Sequence, residues 1–216
     1  TTDTKLAAVQ VQELNLRDQQ AKVIVADSRY EDRLFLGIFE RFKHTFGLIR
    51  IHSNRVLFEE PQQKPAGSRG APRKHGKSFK LNRNHRPEDQ SETFELGKQS
   101  VRVRAWHKLH FKRFASVVGT VVCVEFLKED GTPRYKRPIW LFWTGPETVS
   151  LQDLCCMYLW RFAIEAVRFG LLAIVAHAQS GNTQSPSLAS TLQRRASAPI
   201  DPSTGTAFGS GIFVAV

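Results

Sequence analysis

Acid is scarce in this 216-residue chain: 20 Asp and Glu stand against 31 Lys and Arg, for a net charge of +11 and a pI near 10.0. That imbalance suits an anionic partner, and nucleic acid is the first candidate; the alternative is a solvated basic surface. Cysteine is also scarce. Cys123, Cys155 and Cys156 form no CxxC pair and no even set, which argues against a zinc module or disulfide scaffold and favours a reducing cytoplasm. No apolar run approaches the ~20 residues of a membrane span, so no membrane role is expected. The start, TTDTKLAAVQVQEL, has no basic stretch followed by an apolar one, so no signal peptide is expected. It has no initiator Met either, and the chain is read as a fragment or a processed product. The hydrophobic share of 41% is enough for a buried core. The length fits one domain, or a core with one sizeable insertion.

The positive charge is concentrated. Residues 59–137 hold 18 Lys and Arg against 9 Asp and Glu, while residues 1–58, 138–170 and 171–216 are each within two charges of neutral. From Lys64 to Arg86 there are eight basic residues and no acid. Residues 59–97, rich in Pro and Gly, therefore read as a loop, either solvated or phosphate-contacting. Arg73, Lys74, Lys77 and Lys80 are its candidate DNA contacts.

Around this insertion the pattern is α/β. Residues 5–16 have helical spacing through Leu6, Val9 and Leu14. Val23–Ala26 is a short apolar run suited to a strand covered on both faces, and it ends on Asp27. Leu34, Ile38 and Phe42 recur at helical spacing, with Ser28 and Glu31 placed as a capping box. GLIRIHSNRVLF returns to strand. Further on, Val101, Val103 and Ala105 alternate with Arg102, Arg104 and Trp106, which puts the last three on one face as candidate DNA contacts. Asp130-Gly131 signals a hairpin, and RPIWLFW a further strand in which Trp140 and Trp143 suit core packing. His107 and His110 fall on opposite faces by the same alternation, so they make no metal pair. Residues 150–170 form a helix. The segment 171–216 lacks Lys, Glu and Trp, and Ala, Ser, Gly and Thr make up 23 of its 46 residues; it reads as low-complexity sequence without a fold of its own.

The late helix carries Tyr158, Arg161 and Glu165. At 100° per residue all three fall within about 60° on one face. Taken alone, Arg161 and Glu165 are an ordinary i,i+4 pair worth about 0.2–0.5 kcal/mol. Asp27 changes the context, because an acid at the C-terminal end of a strand and a Glu on a late helix can converge on Mg²⁺, a hard cation that prefers oxygen ligands.

The spacing Tyr158-x2-Arg161-x3-Glu165 resembles the Y-x2-R-x3-E signature of bacterial DDE-type insertion-sequence transposases. VIVADSRYEDRLFL, LIRIHSNRVLF, GAPRKHGKSFKL and RPIWLFWTG are similar to further blocks of that family, in order, across about residues 5–169. The resemblance implies a ribonuclease-H-like core, incomplete because its first strands are missing, with a β-rich basic insertion. Core segments would be 1–58 and 138–170, with the insertion at 59–137. It implies Asp27 as the second catalytic Asp and Glu165 as the catalytic Glu, both ligands to Mg²⁺. Tyr158 and Arg161 would contact DNA. The partner would be the double-stranded DNA of transposon ends, with a homodimer in the DNA complex as a further expectation. Metal-dependent strand cleavage and transfer is the family's activity. No counterpart of the first Asp ends an apolar strand before Asp27, so this chain is expected to be inactive alone. A non-catalytic basic nucleic-acid-binding protein is the competing expectation.

The family pattern also asks for a basic residue about seven positions after Glu165, where Leu172 stands. A frameshift near residues 168–172 would account for both this and the change in composition. Translation of the genomic DNA in the other two frames is then expected to yield a helix that continues the family pattern; its absence from both frames contradicts the frameshift.

Overall fold

The apolar run at residues 23–26 lies in β1 (Lys22–Ala26), which is buried at every position, as a strand covered on both faces must be. The computed structural model describes residues 3–17, 20–62, 71, 73–83, 86–168 and 212–215, without the side chains of residues 3, 162–168 and 212–215. Before β1 comes α1 (Asp3–Arg17) and after it α2 (Arg33–Arg41) and β2 (Thr45–Arg50). β1 and β2 are parallel, registered from Lys22 against Thr45 to Ala26 against Ile49, so α2 is the connection of a βαβ unit. The expected α/β class is observed; every other strand pair among the described residues is antiparallel.

The helix after β1 starts later than the Ser28 capping box predicts. Asp27 caps a single 3-10 turn over Ser28–Tyr30, accepting from the Ser28 N–H. Asp32 then breaks the path with an extended backbone and caps α2 by accepting from the Phe35 N–H at 2.9 Å; Asp is as good an N-cap as Ser. Glu31 turns to Arg55 and the His52 N–H instead. This later start rotates the helix, so its core face runs through Phe35, Leu36 and Ile38 and leaves Leu34 55% exposed.

A turn closed by Arg55 N–H to the His52 carbonyl divides the next stretch. β3 (Val56–Glu59) therefore joins a different part of the sheet, beside β4 (Ser78–Lys80) and β6 (Gln99–Phe111). The expected loop over residues 59–97 is thus corrected in part: it contains β4 and β5 (Gln90–Leu96). β6 and β7 (Phe114–Phe126), of 13 residues each, form a hairpin, and β7 pairs with β8 (Ile139–Trp143), which pairs with β2. The basic insertion therefore continues the core sheet.

A β-bulge interrupts β6, where the step from Trp106 to Leu109 matches only the step from Val121 to Gly119 on β7. Lys108 sits in it at φ 57°, a left-handed conformation that is unusual for Lys. The extra residue reverses the alternation, so His107 and His110 share one face, and the expected separation is overturned. Among the described residues, no group of three or more His, Cys, Asp or Glu side chains could hold a metal ion.

Each face of the sheet has its own core. Ile24, Ile49, Trp106, Val121, Trp140 and Phe142 pack with α1 and α2. Val23, Val25, Leu48, Val103, Val122 and Trp143 pack with Leu151, Leu154, Cys155 and Tyr158 of α3 (Leu151–Arg168). The 171–216 segment, expected to have no fold, contributes β9 (Ile212–Ala215), which runs antiparallel along the outer edge of β1. That edge carries backbone donors and acceptors that need partners. No described helix is long and apolar enough to cross a membrane.

Gly119 lies where β7 faces the bulge, and a Cβ there would collide with the Trp143 carbonyl oxygen and stand 2.7 Å from the Phe142 ring. Backbone cannot yield as a flexible side chain can. Gly119→Ala is expected to lower stability by roughly 1–3 kcal/mol, measurable by urea denaturation; an unchanged midpoint contradicts this packing.

Candidate nucleic-acid interface

Asp27 follows β1 directly. The β1–β2 register, continued one step, sets it beside Arg50. Ala26 and Ile49 both point into the α1–α2 core, so the next residue of each strand points to the α3 face. α3 lies there, and Tyr158 meets the two strand ends. The Tyr158 side chain is 1% exposed. Burial pushes its phenol above the usual range and the Asp27 charge adds to this, while the charges of Arg50 and Arg161 and a hydrogen bond from Arg50 oppose it. Arg161 lies over the Tyr158 ring, 5.6 Å from its centroid, a cation–π arrangement. Asp27, Arg50, Tyr158 and Arg161 therefore form one cluster. Asp27 is half-buried.

The helical spacing correctly places Tyr158 and Arg161 on one face. That face is turned into the protein, with Arg161 4% exposed. In this conformation neither offers the open surface expected of a direct DNA contact. The Glu165 backbone continues α3, and its side chain lies outside the described residues. The described part of the site thus supplies one carboxylate, Asp27, among guanidinium groups. One carboxylate falls short of a Mg²⁺ site, and the neighbouring cations favour an anion. Sequence reasoning missed Arg50; its place beside Asp27 follows only from the parallel register.

The basic residues divide into two kinds. Arg102 and Arg104 share the strand face with Trp106, as the alternation predicts, but both bind Oε2 of Glu125, at 3.0 and 3.1 Å. Their positive charge is largely matched on the sheet. Arg86 is likewise held by Glu59 at 3.4 Å and Asp89 at 2.6 Å. Trp106 is 3% exposed; its Nε1–H donates to the Arg86 carbonyl and its ring packs against Phe79 and Trp140. Its expected place among the DNA contacts is corrected to core packing. Arg73, Lys74, Lys77 and Lys80 are exposed, and no ion pair joins them among the described residues. These four retain the character of phosphate contacts.

A cavity of about 730 Å³ opens on the α1–α2 face, over Trp106 and Trp140. Its polar lining includes His52, Asn54, Asn82, Arg104, Lys136 and Arg137, with no acid. The 128–137 turn thus brings a second set of cations to a concave surface.

The cysteines take no part. Burial pushes the Cys123 and Cys155 thiols up to about 12, so both are inert side chains of the core. No protein-family model matches the chain, and no curated protein matches it.

Proposed function

We propose that the chain is part of a DDE-type insertion-sequence transposase that binds the double-stranded DNA of transposon ends, with Asp27 and Glu165 as two of its Mg²⁺-binding carboxylates. The supporting observation is the convergence at the end of β1: Asp27 lies on the α3 face, and the helix that bears Glu165 meets it through Tyr158. Open α/β sheets carry their sites at such strand ends. The β1–α2–β2 unit would belong to a ribonuclease-H-like core, and β4 to β7 occupy the chain positions of the insertion that the resemblance implies. Arg73, Lys74, Lys77, Lys80 and the cavity cations would neutralise phosphates. When bound, Mg²⁺ would supply charge stabilisation for an in-line phosphodiester displacement. Asp27 would orient it, with the Arg50 guanidinium beside it to hold the adjacent phosphate. This chain brings two of the family's three carboxylates and is proposed to bind DNA without cutting it.

A second reading, a basic nucleic-acid-binding protein without catalytic descent, is favoured by one observation: the charged groups that act on Tyr158 alongside Asp27 are the guanidinium groups of Arg50 and Arg161.

Mn²⁺ separates the two. With a double-stranded oligonucleotide bound, Mn²⁺ is expected to broaden the NMR signals of Asp27 and Glu165 selectively, and Asp27→Asn to remove the effect. A supercoiled plasmid should remain uncut. DNA binding with no selective broadening selects the second reading, and no DNA binding at all rejects both.

A further inference from the structure

The stretch that carries Arg73, Lys74 and Lys77 is fastened at its middle. His75 Nδ1 lies 2.9 Å from His110 Nε2. The rings stack at 5.2 Å and 28°, and His75 also packs against Phe58 with centroids 5.0 Å apart. The backbone adds two hydrogen bonds: Gly76 N–H donates to the Glu59 carbonyl at 2.8 Å, and Glu59 N–H to the Lys77 carbonyl at 3.0 Å. A Cβ at position 76 would run into the Glu60 carbonyl oxygen, so this seat needs a glycine.

His110 is 2% exposed, and its Nδ1 is buried with no hydrogen-bond partner. A bond between two imidazole nitrogens needs one N–H and one lone pair. A bare lone pair is cheaper to leave buried than an N–H, so His110 Nδ1 is the unprotonated atom and Nε2–H donates to His75 Nδ1. A proton added to His110 would place a charge and an unpaired N–H inside the sheet. A proton added at His75 Nδ1 would remove the acceptor.

We propose that His75 and His110 form a proton-operated latch, which seats the basic residues 73–77 against β3 and β6 while both rings are neutral and releases them when the pair gains a proton. The groups around His110 fit this role. From β3 come Phe58 and, just beyond the strand, Glu60. From β7 comes Val118, and from β6 itself His107, which is bonded to Thr120. Lys74 and Lys77 flank His75 on the docked segment. Among the described residues Glu60 is the anion acting on His110, and it favours the proton; burial and His75 together outweigh it and hold His110 below its ordinary 6.5. The folded value is the lower one. The latch's contribution is therefore complete above the ordinary value and is lost as pH falls through the lowered one. That release alters DNA binding rests on the function proposed above; the latch itself does not.

The test uses the full chain. Amide exchange at Gly76, corrected for the intrinsic pH dependence, is expected to accelerate by about tenfold between about pH 7.5 and about pH 5.5, while β6–β7 amides keep their protection. His110→Phe removes the titrating ring together with its hydrogen bond, so Gly76 protection in that variant should no longer change between the two values. Unchanged Gly76 protection in the unsubstituted chain overturns the latch, whether or not the variant folds, and so does acid release that persists in a folded His110→Phe. Binding of a double-stranded oligonucleotide at the two pH values is read in parallel. Acid release of Gly76 in a chain that binds no oligonucleotide supports the latch and rejects the DNA-binding reading.

Discussion

β1 and β2 lie parallel, side by side, with side chains buried on both faces of the sheet. Parallel neighbours need a crossover between them and cover above and below. α2 supplies the crossover and, with α1, covers one face; α3 covers the other. Because successive side chains alternate, the pair ends with Ala26 and Ile49 in one core and with Asp27 and Arg50 on the opposite face. The cluster beneath Tyr158 and Arg161 is a consequence of that parity. A slip of one residue in the register would separate Asp27 from Arg50.

The same sheet sorts the protein's cations. Arg102 and Arg104, in the middle of β6, meet Glu125, an anion fixed by cross-strand register. Cations at residues 73–80, leading into and ending the short strand β4, and at 128–137 have fewer fixed partners and stand at the surface. Net charge alone does not make this distinction. Of the residues that alternation and composition single out, those in the 73–80 stretch keep the accessibility that phosphate contact needs, while Trp106 and Arg161 are drawn into the packing.

Several elements were legible in the sequence for physical reasons. Val23–Ala26 announces a strand covered on both faces, and the α3 spacing places Tyr158 and Arg161 together. Elsewhere local signals competed. Ser28 and Asp32 are both sound caps, and the extended backbone at Asp32 decides where α2 begins. β4 and β5 are hidden by Pro, Gly and charge; β5 in particular, with four of its seven residues exposed, has too little apolar content to stand out. No glycine marks the bulge at Lys108, so the shared face of His107 and His110 could not be read from spacing. Arg50 was invisible as a site residue because its neighbour is set by a pairing across the βαβ unit.

The proposed site requires that the Asp27 end of β1 and the Glu165 turn of α3 face each other closely enough to share an ion. Cysteines at both positions, Asp27→Cys with Glu165→Cys, in a chain whose own three cysteines are replaced, test it without metal or DNA. A short thiol-reactive cross-linker is expected to join them within one chain. If mass spectrometry finds no such cross-link in the folded protein while each single cysteine reacts freely, the two residues do not form one site.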